Sequence, residues 1–394
     1  MKQYYKRHEY AVNIMYDNLA KLIKNQTFLD KKIYMFGTSK IACMIIAYLQ
    51  DHQILLNGII DNNKKKQGYE IDGLMVNKPE VLEEFDPGVV VLIASSYQDE
   101  MIGQLEKMGY KYGINIIKVI DLPELMNDYS FADRKKYKEM SGEEIRKRQI
   151  AIMKHMKNVC EQNKIDYYLA YGTLLGAVRH KGFIPWDDDV DIWVKGKDID
   201  RLAELINQGD RYQMITCKNN DQFLDQLPII VDTYSVMDIN MFPLQASTGV
   251  WIDVFPLYGI PSDKEEVKEY ASRVKKMEMD KWRYLYDDNK CHQYAIKLYE
   301  FISSYDLEQS EYTGYFLNSE FTSDYYKTKN FERKEYLMFE GEEFCVPGGY
   351  DEILTSIYND YMALPPKEKR VSSHYYKVYF NHESNSTEWE AEIK

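Results

Sequence analysis

Four aspartates lie close together in this chain, and carboxylates at such spacing can hold a divalent metal ion. The segment IPWDDDVDIWV, residues 184–194, places Asp187, Asp188, Asp189 and Asp191 between bulky apolar residues. A solvated acidic loop would not have such flanks, because an unpaired buried charge costs several kcal/mol. In a strand, the side chains of Asp189 and Asp191 would project from the same face and repel each other. The pattern therefore predicts a Mg²⁺ site, with Mn²⁺ as the alternative ion.

The segment YGTLLGAVR, residues 171–179, comes shortly before these acids and predicts an anion site. Gly172 and Thr173 form a turn that leads into a short apolar helix, and backbone N–H groups at a helix start can bind a phosphate. Arg179, at the other end of the helix, could donate to a phosphate or form an ion pair with an aspartate. An anion site next to a metal site is typical of a centre that binds a metal-bound phosphate ester.

A further acid, Asp253, lies in the middle of the apolar strand VWIDVFPL, residues 250–257. Strand alternation puts it on one face with Trp251 and Phe255. A carboxylate at such a position must be paired, neutral or metal-bound. Three roles stay open: a third metal ligand, an ion pair with Arg179, or a general base with a pKa raised by burial.

The block 171–194 and the strand WIDVFPL (251–257) resemble the LicD family. The resemblance extends to a C-terminal stretch with VPGGYD (346–351), YNDYMALPP (358–366), Arg370 and His374. The resemblance covers roughly residues 145–380. It implies a nucleotidyltransferase-type fold. It also implies transfer of an alcohol phosphate, phosphocholine first, from a CDP-activated donor to a sugar hydroxyl in cell-surface glycan assembly.

The resemblance also implies roles for individual residues. Asp189 and Asp191 match the metal-binding pair, and Asp253 matches the third acidic position. Gly172 and Thr173 match the phosphate-binding turn. The remaining candidate substrate-binding residues are Asp187, Arg370 and His374, of which the last two lie four apart and would face one way in a helix.

Two other functions remain open. One is an NTP-dependent nucleotidyltransferase, which would use the same turn and acids. The other is a non-catalytic protein of glycan assembly, although the presence of all three acids disfavours it. The donor alcohol (choline, glycerol, ribitol or ethanolamine) and the acceptor (a lipid-linked oligosaccharide, a nucleotide sugar or a polymer) cannot be read from the sequence.

Composition and charge narrow the class of protein. The chain has 394 residues and a formal net charge of −13, which argues against nucleic acid as a partner. The start MKQYYKRHEY lacks an apolar signal region, and the apolar run 41–49 is too short to span a bilayer. The five cysteines have neither metal nor disulfide spacing. We therefore expect a cytoplasmic enzyme, free or at the inner face of the membrane; homo-oligomerisation is left open.

The first third of the chain alternates strands and helices, which predicts a Rossmann-like parallel sheet. The segment FGTSKIA, residues 36–42, has one glycine where the dinucleotide fingerprint has three, so redox chemistry with NAD is not expected. Asp61 ends the second strand, where a ribose hydroxyl would be held. The stretch KKKQGYEIDG (64–73) resembles the nucleotide-sugar-binding N-terminal domains of some bacterial sugar acyltransferases. A docking or dimerisation domain is the alternative.

The predicted fold class is α/β and α+β, in two domains. A Rossmann-like domain would span residues 1–125, and a nucleotidyltransferase-fold catalytic domain residues 140–394. The catalytic domain would combine a mixed sheet with additional helices, predicted at 142–163, 263–286 and 351–362 from their apolar periodicity.

Overall fold

A computed structural model describes most of the chain. The described residues are 6–64, 66–68, 70–71, 73–95, 97–120, 138–221, 223–239, 249–284, 288–314, 325–367, 370 and 376–380. The chain divides into two compact units. The first contains Met1–Ala132, Met241–Gln245 and Met279–Cys291, and the second contains Asp133–Asn240, Ala246–Glu278 and His292–Lys394. The domain limits expected from the sequence stay a prediction.

The first unit is built on a six-stranded sheet with the order β3-β4-β2-β1-β5-β6. All neighbouring strands are parallel except β3, which pairs antiparallel with β4. The strands are β1 (Lys32–Phe36), β2 (Gly58–Ile60), β3 (Glu70–Ile71), β4 (Leu74–Asn77), β5 (Val89–Ile93) and β6 (Ile116–Lys118). The helices are α1 (Lys6–Lys24), α2 (Lys40–Asp51) and α3 (Gln98–Lys107).

The central strands of this sheet are buried on both faces, as their unbroken apolar runs predict. The turn after β1 leads into α2, where the Ser39 hydroxyl caps the helix by accepting a hydrogen bond from the Ala42 N–H at 3.2 Å. Asp61 lies after β2, and nearby residues already form hydrogen bonds with its carboxylate. Its carboxylate accepts from the Thr38 hydroxyl at 2.7 Å and from the Asn63 N–H at 2.8 Å.

The second unit contains a five-stranded mixed sheet with the order β7-β8-β12-β10-β9. Strands β8 and β12 pair in parallel, and the other pairs are antiparallel. Its strands are β7 (Tyr167–Leu169), β8 (Asp191–Lys195), β9 (Tyr212–Ile215), β10 (Ile229–Asp232) and β12 (Val250–Leu257). Three smaller sheets pair β11 (Ser235–Ile239) with β18 (Tyr376–Phe380), β13 (Gly259–Ile260) and β15 (Tyr325–Lys327) with β14 (Tyr312–Gly314), and β16 (Lys334–Phe339) with β17 (Glu342–Pro347).

Six helices are described from residue 142 onward: α4 (Gly142–Asn163), α5 (Tyr171–Arg179), α6 (Ile199–Ile206), α7 (Lys264–Arg283), α8 (Asp288–Ile302) and α9 (Tyr350–Tyr358). Helix α4 has the predicted bounds because Ser141 and Glu144 form a capping box at its start. Helix α9 ends earlier than predicted, since Asn359 takes a left-handed φ of 59°. None of the helices in the described part of the chain has the length and apolar character needed to cross a bilayer.

Strand β12 alternates between the core and the site, as its sequence predicts. Ile252 and Val254 are fully buried, whereas Trp251, Asp253 and Phe255 are half-buried on the opposite face. The strand beside it differs from the prediction, because β8 begins at Asp191 and leaves Asp189 in the preceding loop. That loop is held by side chains from elsewhere in the fold.

Candidate active site

The acidic segment is a loop followed by the first residue of β8. Carboxylate oxygens of Asp187, Asp188 and Asp189 lie within 4.8 Å of one another, which is spacing that could hold a metal ion. Asp191 begins the strand and is only 8% exposed. The metal ligands predicted from the sequence were Asp189, Asp191 and Asp253, so this compact group shares only Asp189 with them.

Strand pairing brings the distant Asp253 to the same place. In the parallel pair of β8 and β12, Asp253 is in register with Asp191, and residues in register on neighbouring strands point to the same face. The Trp251 indole N–H donates to Asp253 Oδ2 at 3.1 Å, which fixes the orientation of that carboxylate. The sheet therefore gathers acids that are about sixty positions apart in the sequence.

The electrostatics of this group favour a cation. Burial raises the pKa of Asp191 well above its ordinary value, and the negative charges of Asp189, Asp253 and Asp187 raise it further. Each of these neighbours contributes repulsion. A divalent ion bound among these carboxylates would attract all of them and so offset their mutual repulsion. Oxygen ligands of this kind suit Mg²⁺.

Helix α5 adjoins the acids through both predicted turn residues. Gly172 and Thr173 lie in the first turn of the helix, not in a separate turn before it. The Thr173 hydroxyl accepts a hydrogen bond from the Asp191 N–H at 2.9 Å. A Cβ atom at Gly172 would lie 2.6 Å from Asp187 Oδ2, so only glycine lets that carboxylate approach the helix start.

Tyr171 begins this helix with a strained backbone. Its φ of 38° is unusual for a residue with a side chain. Its ring packs against the rings of Trp193 and Phe255, with centroids 5.0 Å and 4.8 Å away. Such strain persists only where the surroundings enforce it, and it clusters at functional sites.

Helix α4 holds the acidic loop by its backbone, which sequence reasoning missed. Arg146 Nη2 donates to the carbonyl oxygens of Asp187 at 2.9 Å and Pro185 at 3.2 Å. Gln149 Nε2 donates to the carbonyl oxygen of Asp188 at 2.9 Å. These bonds hold the backbone of the loop and so orient its acids.

The turn between β16 and β17 holds the loop from the other side. Glu340 Oε1 accepts a hydrogen bond from the Phe183 N–H at 3.0 Å, and the Glu340 N–H donates to the Lys181 carbonyl at 3.0 Å. Any side chain at Gly182 would overlap the Glu340 carboxylate. No local signal in the sequence links these residues.

Arg179 joins helix α5 to the segment after α9. Its Nη1 donates to the carbonyl oxygens of Tyr361 at 2.8 Å and Ala363 at 3.2 Å. Burial lowers its pKa, and Arg370 lowers it further. These bonds give Arg179 an anchoring role in addition to the phosphate or ion-pair roles considered from the sequence.

Other candidates lie at the edge of this group. The Arg370 guanidinium lies 5.4 Å from the centroid of the Trp186 ring, and its Nε donates to the Pro365 carbonyl at 2.8 Å. His374 lies outside the described residues.

Tyr358, which the sequence did not single out, faces the acids. Burial raises the pKa of its hydroxyl, and the charges of Asp191, Asp187 and Asp189 raise it further.

Two family models match parts of this chain. Residues 164–284 match the family model described as LicD/FKTN/FKRP, nucleotidyltransferase domain. Residues 1–120 match a model described as C-methyltransferase C-terminal domain, which is not the family that the sequence analysis named for this region.

Two curated relatives illustrate the range of the similarity. The lipopolysaccharide cholinephosphotransferase LicD of Haemophilus influenzae is 30% identical over 252 residues, which are 58% of this chain and 94% of the relative. The ribitol 5-phosphate transferase FKRP of Homo sapiens is 38% identical over 52 residues, which are 13% of this chain and 10% of that protein. The predicted resemblance is thus confirmed: the chain belongs to the LicD family, and it is a phosphotransferase.

Proposed function

We propose that the protein transfers an alcohol phosphate, phosphocholine first, from a CDP-activated donor to a sugar hydroxyl in cell-surface glycan assembly, with Mg²⁺. The observation that carries this proposal is the in-register pair of Asp191 and Asp253 beside Asp189, in which one buried carboxylate is surrounded by others. The Haemophilus relative is named a cholinephosphotransferase, which supports phosphocholine as the first group to test.

The residues present fit a divalent cation. All the groups that raise the pKa of Asp191, apart from burial itself, are carboxylates, and hard oxygen ligands suit Mg²⁺, with Mn²⁺ as the alternative. Asp189, Asp191 and Asp253 would hold the ion, and Asp187 lies close enough to join them. When bound, the ion would supply charge neutralisation on the donor diphosphate and its leaving CMP.

The chain's own residues would position the donor. The first-turn N–H groups at Gly172 and Thr173 are suited to donate to its phosphates. Arg370 presents a guanidinium beside Trp186, and together with His374 it would contact the phosphates or the nucleotide. Arg179 would keep the segment after α9 in place through its bonds to Tyr361 and Ala363.

Asp253 has two roles that the arrangement supports, and an Asn variant distinguishes them. As a metal ligand, its loss would weaken donor binding and Mg²⁺ dependence together. As the general base for the sugar hydroxyl, its loss would leave the donor Kd nearly unchanged and lower kcat by roughly 10²–10⁴-fold. We favour the metal-ligand role because the strand neighbours of Asp253 on the core face, Ile252 and Val254, are fully buried and apolar. Unchanged donor affinity with collapsed kcat would decide against it.

A second candidate function is nucleotide transfer from an NTP. It is favoured by one observation, the nucleotidyltransferase description of the matching family model. Calorimetric titration with CDP-choline, ATP and CTP, each with Mg²⁺, separates the two functions. Tight binding of an NTP with weak binding of CDP-choline would favour the second.

We also propose that residues 1–125 form a Rossmann-like domain and residues 140–394 the catalytic domain. The parallel strands β4-β2-β1-β5-β6 follow the 3-2-1-4-5 order of that fold, which supports the first part. A shortened chain that begins at Ser141 should still bind and turn over the donor. If it is folded but does not bind the donor, the first domain completes the site.

The decisive experiment is a panel of CDP-alcohols. The full chain is incubated with Mg²⁺, a glycan acceptor mixture and CDP-choline, CDP-glycerol, CDP-ribitol or CDP-ethanolamine, and CMP release is followed. Acceptor candidates include lipid-linked oligosaccharides, so the assay should also be run with inner-membrane fractions, where a cytoplasmic enzyme would work. The Asp189→Asn variant is the control. CMP release from no donor, or equal release by the variant, would contradict the proposal.

A further inference from the structure

Three basic side chains lie together around the Trp186 ring, at the edge of the candidate active site. Arg179 Nε donates a hydrogen bond to His180 Nδ1 at 3.3 Å. The His180 ring stands perpendicular to the Trp186 ring, with centroids 6.3 Å apart. The Arg370 guanidinium lies 5.4 Å from the centroid of the same Trp186 ring. We call Arg179, His180 and Arg370 the basic group.

The charges in the basic group are not compensated by acids of the described residues. None of its three members forms an ion pair with a carboxylate in that part of the chain. Burial lowers the pKa of His180, and the charge of Arg179 lowers it further. The pKa of Arg179 is lowered by burial and by the charge of Arg370. An anion bound among these side chains would relieve their mutual repulsion.

The basic group also has N–H donors that make no hydrogen bond to a described residue. Arg179 uses Nη1 for two backbone carbonyls, and Arg370 uses Nε for one, so Nη2 of Arg179 and both Nη atoms of Arg370 are left. The His180 ring accepts a hydrogen bond at Nδ1, so its proton is on Nε2. Two guanidinium groups and an imidazole N–H are suited to bind the oxygens of a phosphate.

Tyr358 shows that the basic group lies beside the acids. Burial raises the pKa of the Tyr358 hydroxyl, the charges of Asp191, Asp187 and Asp189 raise it further, and the charge of Arg179 lowers it. The hydroxyl is therefore near both kinds of charge. A phosphate on the basic group would be the neighbour of a phosphate held through the acids, as the two phosphates of a CDP-linked donor are neighbours of each other.

We propose that Arg179, His180 and Arg370 form a phosphate-binding site that needs no metal ion. Two molecules could supply the phosphate, namely the nucleotide that leaves the donor and an acceptor that carries a phosphate of its own. Phosphate binding itself does not depend on the reaction proposed above, whereas its assignment to either molecule rests on that reaction.

Calorimetric titration of the full chain in EDTA and at low ionic strength tests the site. The probes are CMP and glucose 1-phosphate, and cytidine and methyl glucoside are the comparisons without phosphate. We expect at least one phosphate ester to bind and its phosphate-free counterpart to bind much more weakly. Binding of CMP would identify the nucleotide as the source, and binding of glucose 1-phosphate would identify the acceptor.

Two variants locate the binding. Arg370→Met should weaken the phosphate ester by about tenfold or more, because a hydrogen bond to a charged group is lost. His180→Phe keeps a ring against Trp186 and removes only the N–H, so we expect about a fivefold loss. It also keeps the test decisive if Arg370→Met is unstable.

The controls separate this site from the acids. Lys367→Gln removes a positive charge at an exposed position three residues before Arg370 and should leave phosphate affinity unchanged. Asp189→Asn should bind the phosphate ester in EDTA at least as tightly as wild type, since it removes a negative charge nearby. Mn²⁺ binding without donor, followed by electron paramagnetic resonance, should be the same in Arg370→Met, His180→Phe and wild type.

Several outcomes would overturn the inference. These are the absence of phosphate-ester binding in EDTA, equal binding by wild type and both basic-group variants, or equal binding of cytidine and CMP. Binding that requires Mg²⁺ and is lost in Asp189→Asn would place the phosphate at the acids instead. Phosphate binding in EDTA without CMP release from any donor would refute only the proposed reaction. CMP release from a donor without such binding would refute only this inference.

Discussion

Two buried aspartates in the second unit have opposite surroundings. Asp232, on β10, is fully buried and accepts hydrogen bonds from Arg148 Nη1 at 2.6 Å and Arg211 Nε at 3.3 Å. Asp191, two strands away, is nearly as buried, but the charges that shift its pKa belong to other aspartates. The first carboxylate has counter-ions from its own chain, as structural ion pairs do. The second is surrounded by other carboxylates instead, as the proposed metal site requires.

The largest expected effect is on turnover at the acids. Asp191→Asn or Asp189→Asn removes one charge and one hard ligand, and we expect turnover to fall by roughly three orders of magnitude, since a catalytic metal supplies several kcal/mol of transition-state stabilisation. CMP release at saturating Mg²⁺ measures it. Asp210→Asn, at an exposed position, is the control. Near wild-type rates in either site variant would refute the metal assignment.

Removing an arginine should affect stability instead of chemistry. In the described part of the chain, Arg148→Met leaves the buried Asp232 with Arg211 as its one counter-ion. We therefore expect the free energy of unfolding to drop by about 3 kcal/mol, the lower end of the range for a broken buried pair. Urea unfolding measures the change. Arg201→Met, on the exposed side of α6, should change little. An equally stable Arg148→Met protein would mean that the two aspartates are less different than the structure indicates.

Gly172→Ala tests the packing between helix α5 and the acidic loop. The added methyl group would lie 2.6 Å from Asp187 Oδ2, so the carboxylate must move. We expect turnover to fall by up to about 10²-fold, because displacements near 1 Å at a reacting centre cost that much. In the control, Gly209→Ala, the nearest atom is 3.7 Å away. If Gly172→Ala keeps full activity, Asp187 does not need its observed place.

The smallest expected effect concerns stability without metal. Because the folded state raises the pKa of Asp191, ionisation of this group destabilises the fold as the pH rises above its ordinary value of 3.8, and the cost is complete above the raised pKa. In EDTA at pH 8, Asp191→Asn should therefore melt about 1–2 °C higher than wild type, for a gain of about 1 kcal/mol. The difference should vanish towards pH 4.

Added Mg²⁺ should stabilise the wild type more than the variant. A wild type that is more stable than Asp191→Asn in EDTA at pH 8 would show that the chain itself compensates this charge. The two buried aspartates would then be alike.

The sequence predicted the parts of the site that local patterns encode. Alternation in 250–257 gave the face of Asp253, and the capping residues of α4 agree with its predicted bounds. The supporting contacts could not be predicted. Arg146 and Gln149 bind backbone carbonyls of a loop about forty positions away, and a carbonyl carries no residue-specific signal. Tyr358, the last residue of α9, faces the acids only because the chain folds back onto them. No spacing rule in the sequence indicates that contact.

The contacts from the C-terminal part of the second unit affect how the protein is made. The acidic loop depends on Glu340, and helix α5 bonds through Arg179 to Tyr361, 182 positions later in the chain. At a synthesis rate of about 5–20 residues per second, the ribosome needs roughly 10–35 s to make that interval. During that time the growing chain carries its acids without their final support. Premature termination before residue 340 should therefore yield a polypeptide that cannot assemble the centre, however complete its acidic motif is.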